Sequence, residues 1–418
     1  MNPAAVITGL GFVSSIGHSR ADVTRSLREL RHGIAPWQPV PGTDLPAKVA
    51  GLVRGFDVSG ENPAAWTWPV EFDLDPALVR PMPPHGVYAL AAVRQAVAEA
   101  GLTDAELCDG STGLYCASGG SPRLQRLHFQ KLEASGWRRA HPHAIVSSIA
   151  GALNFHLGAA LGIRGACCGF SSACASGSHA LGFALDEIRL GRQQRMIVVA
   201  AEDMNAESAL PFTGMGALSE NPDPDSASRP FDRRRDGFVP SGGAVAVVLE
   251  NPEAAARRGV RAQAAMLGWG QACDGHHIAM PHPEGRGIAD AMRLALRDAN
   301  LTPEQVGYVN AHGTSTPQGD RAEAIAIASV FGKLRPPVSS TKALTGHALS
   351  MSGLLEAALC VLALDGGFIP GQAHLDETDC PELNLPRHTA DHPLTIAMNN
   401  SSGFGGGNVV HLFSKIIR

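Results

Sequence analysis

At 418 residues, with 44% hydrophobic and 17% charged residues, the chain has ample apolar content for one large folded unit or two packed halves, and it is not of disordered composition. A net charge of −5 and an aromatic content of 5% argue against a nucleic-acid partner, which calls for a basic surface or stacking platforms. No uninterrupted apolar run approaches the roughly 20 residues of a membrane-spanning helix, so no membrane association is expected.

In chain order, the opening MNPAAVITGLGFVSSIG lacks a basic leader and is broken by glycines, which points to a strand and turn rather than a targeting segment. Apolar strand-like runs then alternate with helix-period segments, the pattern of an α/β protein. The strands are expected at residues 5–8, 196–200, 244–250, 263–267, 308–310 and 395–398, and the helices at 86–100, 175–190, 287–299, 321–331 and 353–364. Gly9 and Gly11 suggest a dinucleotide fingerprint, but Ser14 holds the third glycine position and Glu29 lies inside a helical run, so the fingerprint fails. Residues 220–237, polar and rich in Pro, Asp and Arg, read as a surface excursion between elements, residues 40–79 are dense in Pro, Trp and Asp with poor periodicity, and each is a candidate inserted loop. A division near residue 255 gives halves at 1–255 and 256–418, and the strand QAAMLGWG opens the second much as VITGLG opens the first. The eight cysteines, at 108, 116, 167, 168, 174, 273, 360 and 380, show no C-x-x-C spacing. They read as buried thiols of a reducing cytoplasm with one reactive member, Cys167 and Cys168 among the core.

The reactive member is expected to be Cys174, in GFSSACASGSHALGFALDEIRLG. It stands where a strand end turns into a helix, so the helix dipole and free amides favour its thiolate, and the small residues 175–178 leave room for a bulky thioester. His312 emerges from the strand YVNA into a hydroxyl-rich turn, with Asp320 left to cap the following helix. Lys342 and His347 flank a Thr-Gly turn, and Glu356, nine residues beyond His347, either orients a basic group or lies on a solvated face. Near the end, NNSSGFGGGN lets backbone approach a ligand closely at Gly403, Gly405, Gly406 and Gly407, with Phe404 as a movable lid. A thiol, two imidazoles and an amine suit one reaction. The thiolate takes an acyl group from a carrier thioester, and the imidazoles donate to the oxygen of a malonyl-type thioester as carbon dioxide leaves.

SACASG, SRPFDRRRDGFV, NAHGTSTPQGD and STKALTGH, in this order between VITGLGFVSSIG and GFGG, resemble the β-ketoacyl-acyl-carrier-protein synthases over essentially the whole chain. SGGSPRLQ and MGALS are more similar to the type I branch than the type II. The resemblance implies a thiolase-like α/β fold, two similar βαβαβαββ halves in a five-layered α-β-α-β-α arrangement. It implies Cys174 as nucleophile, His312 and His347 as the enolate-stabilising pair, and Lys342 and Glu356 as supports. Thr314 and Thr316 become contacts for the phosphopantetheine arm, and Phe404 a gate whose amide joins that of Cys174 in an oxyanion hole. No cofactor is implied beyond the phosphopantetheine that carries the substrates on an acyl carrier protein. That acidic partner calls for a basic patch, for which Arg123, Arg126, Lys131, Arg138 and Arg139 are the candidates. Family members are homodimers with the sheet continued across the interface; a heterodimer with a chain-length factor is the alternative. Three departures stand out: Ser402 where phenylalanine is usual, Gly407 for Thr or Gln, and Ser241-Gly242-Gly243 for Gly-Glu-Gly. Ser402 implies a roomier or more polar acyl pocket, and it keeps open a specialised polyketide or polyene role beside fatty acid elongation.

Overall fold

Ten strands assemble into one sheet in a computed structural model that describes residues 4–416. Residues 1–3 of the opening apolar segment lie outside the described residues. The first half contributes β1 (Ala5–Val13), β2 (Thr112–Ala117), β3 (Cys167–Phe170), β4 (Arg195–Glu202) and β5 (Gly243–Glu250). The second contributes β6 (Ala264–Cys273), β7 (Tyr308–Asn310), β8 (Val338–Ser339), β9 (Ile396–Gly403) and β10 (Gly407–Lys415). Their spatial order is β8-β7-β9-β10-β6-β1-β5-β4-β2-β3. Numbered within its own half, each set of five has the same order, third-second-fourth-fifth-first. The pairings match too: β3-β2-β4 and β8-β7-β9 are parallel, and the remaining neighbours in each half are antiparallel. The halves meet through their first strands, Ala5 opposite Met266 to Ile7 opposite Ala264.

The central strands, MIVVAA and AVAVVL, are buried along their whole length, which explains their unbroken apolar runs. α1 (Pro84–Glu99) covers the outer face of the first half, while α4 (Arg286–Asp298) and α5 (Pro317–Phe331) cover that of the second. α3 (Ser176–Arg189) and α6 (Ser352–Gly366) fill the space between the two halves' inner faces; α2 (Pro122–Ser135) lies outside these layers with no buried side chain. The result is the five-layered thiolase-like fold. Residues 349–366 are long and apolar enough to cross a membrane, yet they form this buried middle layer, where a helix must be apolar all round.

The paired glycines of β1 and β6 serve packing. A Cβ on Gly11 would lie 1.8 Å from the Ala92 carbonyl oxygen of α1, and one on Gly270 would lie 2.4 Å from the Ala291 carbonyl oxygen of α4. Each first strand thus lets its outer helix ride directly on the sheet, which accounts for the Gly-x-Gly similarity of the two halves.

Two expectations fail here. Residues 220–237 are a surface excursion only over 220–226: beyond it Ala227, Ser228, Phe231 and Asp232 are buried, and buried Arg235 pairs with Asp320 and Asp379. Those distant carboxylates make burial of the charged segment affordable. Cys167 and Cys168 are exposed, because β3 is the sheet edge and has a neighbour only on its β2 side; Cys273 is exposed as well.

Candidate active site

Cys174 sits on a sharp elbow between β3 and α3. Ala173 before it adopts φ 50°, a left-handed conformation costly for a residue with a Cβ. Local bonds hold the strain: the Ser176 hydroxyl donates to the Ala173 carbonyl at 2.6 Å and accepts from the Ser172 N–H at 2.7 Å. Gly403 of the glycine-rich loop lies against this elbow, since a Cβ there would be 2.8 Å from the Ser172 carbonyl oxygen and 3.2 Å from the Cys174 nitrogen. The thiol is 8% exposed, and burial pushes its pKa up to about 12 against the pull of the Lys342 charge. The expectation of a resting thiolate is therefore corrected. A helix N-terminus is worth ~0.3–1 kcal/mol, less than this desolvation, so the thiol keeps its proton until a base takes it.

That base is in place. His347 Nε2 lies 3.0 Å from Cys174 Sγ, and its Nδ1 lies 2.9 Å from Ser352 Oγ. His347 precedes α6 rather than sharing a helix with Glu356, and it is clamped by backbone bonds to Val239 and Ser241. His312 stands edge-on to it, ring centroids 5.5 Å apart. Lys342 is 1% exposed and makes three contacts: the His312 carbonyl at 2.6 Å, His312 Nδ1 at 3.3 Å and the Glu356 carboxylate. Glu356 is buried rather than solvated, and burial pushes its carboxyl up against the pull of Lys342. Because an ammonium only donates, His312 Nδ1 must accept, which leaves its proton on Nε2. Burial, reinforced by the Lys342 charge, holds both imidazoles well below the usual histidine range, so both are neutral.

Cys174, His312 and His347 line a cavity of about 480 Å³, together with Thr314, Thr316, Ser402 and Phe404. The hydroxyls of Thr314 and Thr316 are 3.0 Å apart on one wall. Phe404, 37% exposed, packs on Phe212 at 5.9 Å. The Ser402 hydroxyl donates to Asn408 Oδ1 at 2.6 Å, and Asn408 in turn donates to Asp274, so this stretch of wall is polar but internally satisfied. None of the five proposed patch residues lines the cavity. On α2, Arg126 is committed to Glu207, Arg123 reaches the Ser59 carbonyl and Lys131 is exposed. In the following turn Arg138 lies over the Trp137 ring, and Arg139 is exposed.

Sequence reasoning missed two residues, Glu323 and Ser352, and misassigned a third, Asp320. Glu323 accepts the N–H groups of His312 and Gly313 at 2.8 and 2.7 Å, fixing the histidine's loop. Its only signal was a lone carboxylate in the apolar run AEAIAIA. Ser352, in the run SMSGLL, carried no sequence signal of its own. Asp320 is no helix cap: it sits in the first turn of α5 and accepts the Phe231 N–H at 2.8 Å, tying residues 220–237 to the site.

The family model of the Beta-ketoacyl synthase N-terminal domain matches residues 3–255, and that of its C-terminal domain matches residues 263–376. The chain is 38% identical to 3-oxoacyl-acyl-carrier-protein synthase 1 of Escherichia coli (strain K12), with 99% of each chain covered. Among solved structures it is similar to a beta-ketoacyl synthase from Burkholderia phymatum STM815, TM-score 0.87 at 30% identity, with all of both chains covered. It is also similar to the ishigamide ketosynthase/chain length factor, TM-score 0.86 at 31% identity, again over all of both chains.

Proposed function

This chain belongs to the β-ketoacyl synthase family, and from that premise we propose that it is an acyltransferase joining a Cys174-bound acyl chain to malonyl-acyl carrier protein. The observation that carries the reading is Lys342 on His312 Nδ1, which aims one N–H donor into the cavity beside the thiol. In the first half-reaction the Cys174 proton passes to His347 Nε2 as sulfur attacks the acyl thioester. The carrier's carbon–sulfur bond then breaks, and its thiolate recovers the proton from His347. In the second, the malonyl carbon–carboxylate bond breaks and its electron pair moves onto the thioester oxygen, where His312 and His347 donate. The enolate carbon attacks the acyl carbonyl, the Cys174 thiolate leaves, and one proton from solvent restores the thiol. The products are 3-oxoacyl-carrier protein and carbon dioxide, and the balance requires no cofactor. Amides of Cys174 and Phe404 flank the acyl oxygen as an oxyanion hole, and Thr314 and Thr316 hold the phosphopantetheine arm.

Acyl carrier protein is the partner, docking near Arg123, Arg126, Lys131, Arg138 and Arg139. The exposed β3 edge, flanked by exposed Phe155 and Phe183, supports a homodimer in which the sheet continues into a second copy. A second reading, a polyene or polyketide ketosynthase paired with a chain-length factor, is favoured by the polar wall at Ser402 and by the likeness to the ishigamide ketosynthase/chain length factor. The test is acylation and elongation of saturated and polyunsaturated acyl-carrier proteins by purified protein. Wild type should gain the acyl mass and Cys174→Ala should not; an acylated Ala variant would overturn the assignment. Preference for polyunsaturated chains selects the second reading.

A further inference from the structure

The proposed condensation, on which this inference rests, asks two opposed things of His347. Its Nε2 must accept the thiol proton in the first half-reaction and donate to the malonyl thioester oxygen in the second. A neutral imidazole carries one N–H, so what Nε2 does depends on what Nδ1 faces. For His312 the answer is rigid, because Nδ1 faces the Lys342 ammonium, which cannot accept. For His347 it is not. Its Nδ1 faces the Ser352 hydroxyl, which is 2% exposed and has one donor and two acceptor sites.

We propose that Ser352 is the positioning residue that makes His347 a donor at Nε2 while leaving the opposite tautomer within reach. No other hydrogen bond is recorded for the Ser352 hydroxyl among the described residues. Its proton therefore has His347 Nδ1 as its recorded acceptor, and an unused buried donor is costly, so the hydroxyl donates. That places the imidazole proton on Nε2, matching His312, and two N–H groups converge where the enolate oxygen develops charge. For the first half-reaction the same hydroxyl rotates to accept from Nδ1–H, the ring takes its other tautomer with Nε2 bare, and Nε2 can then take the thiol proton to give a doubly protonated His347. An ammonium at this position would block that step; an apolar side chain would leave the tautomer unset. Of the two histidines, His347 alone can thus serve both half-reactions, and it is the one that touches Cys174.

The two half-reactions can be measured separately: acyl transfer to Cys174 by mass spectrometry, and carbon dioxide release from malonyl-carrier protein. Ser352→Ala should slow decarboxylation about tenfold, the scale of one lost hydrogen bond to a buried acceptor, and slow acyl transfer distinctly less. Ser352→Thr, which keeps the hydroxyl, should restore the wild-type ratio of the two rates. The nitrogen-15 shifts of the His347 ring should show Nε2–H in wild type and a tautomer mixture in Ser352→Ala. A side chain that merely fills space predicts the reverse order, Ala tolerated and Thr harmful. Equal slowing of both half-reactions, no slowing, or unchanged ring shifts in a folded Ala variant would overturn the proposal. If wild type performs neither half-reaction, it is the functional reading that fails.

Discussion

Lys342 offers three N–H groups and finds three acceptors: the carbonyl and Nδ1 of His312 and the Glu356 carboxylate. That complete match is what permits an ammonium at 1% exposure, since an unpaired buried charge would cost several kcal/mol. Its function in the proposed reaction is indirect, through the tautomer and the neutrality of His312. Lys342→Met should therefore reduce malonyl decarboxylation by about 10²–10³, the scale of one lost oxyanion donor, and slow acylation of Cys174 distinctly less, through the lost pull on the thiol. Rates of the two half-reactions check this, and equal loss in both would argue for general damage. Without the neighbouring cation the His312 pKa should also rise toward the ordinary value, visible by NMR titration, because one depressing cause named for it is removed. The four polar residues at the heart of the site were legible as chemistry because small or hydroxyl residues surround them. Glu323 and Ser352 were not, because a carboxylate or hydroxyl on a helix reveals its partner only once the facing loop is placed.

At the scale of elements, the site is a meeting of one elbow, two helix starts and one glycine loop. The Gly403 contact with the elbow is tight enough that Gly403→Ala must move either the loop or the Ser172–Cys174 backbone. Acylation should fall at least tenfold while the melting temperature changes little, because the displaced atoms lie at the cavity rather than in the core. On the same loop, Ser402→Phe replaces a satisfied polar wall by a large ring and should narrow the accepted acyl chain lengths; an unchanged profile would show that the wall does not gate them. Legibility was uneven at this scale too. Helices such as α3 and strands such as β5 followed from periodicity because each buries a continuous face of its own. The segment 220–237 did not, since its buried Arg235 is neutralised by Asp320 and Asp379, carboxylates far along the chain. Nor did the edge position of β3, because strand order depends on crossovers that local sequence does not encode.

Over the whole molecule two buried sets of titrating groups oppose one another. His85, His312, His347 and His411 are held neutral by burial, so unfolding releases them to take up protons below about pH 6.5, and their contribution to stability is lost as the pH falls. Glu202 and Asp320, pushed by burial to about 7, with Asp203, Glu323 and Glu356 also raised, behave oppositely. They bind protons in the fold first, and gain stability as the pH falls toward the unfolded carboxyl values near 4. The melting temperature should therefore vary little from about pH 5 to 7 and drop steeply below about pH 4.5, where the histidines act unopposed. A steady decline beginning at pH 6.5 would contradict the balance. The short seam of β1 on β6 has its own consequence, because the nucleophile belongs to one five-stranded set and both imidazoles to the other. Sub-global opening that merely separates the two sets would silence the enzyme while the strands within each set stay paired. Heat should then extinguish activity before circular dichroism records any loss of secondary structure, making turnover a more sensitive thermometer than the fold itself.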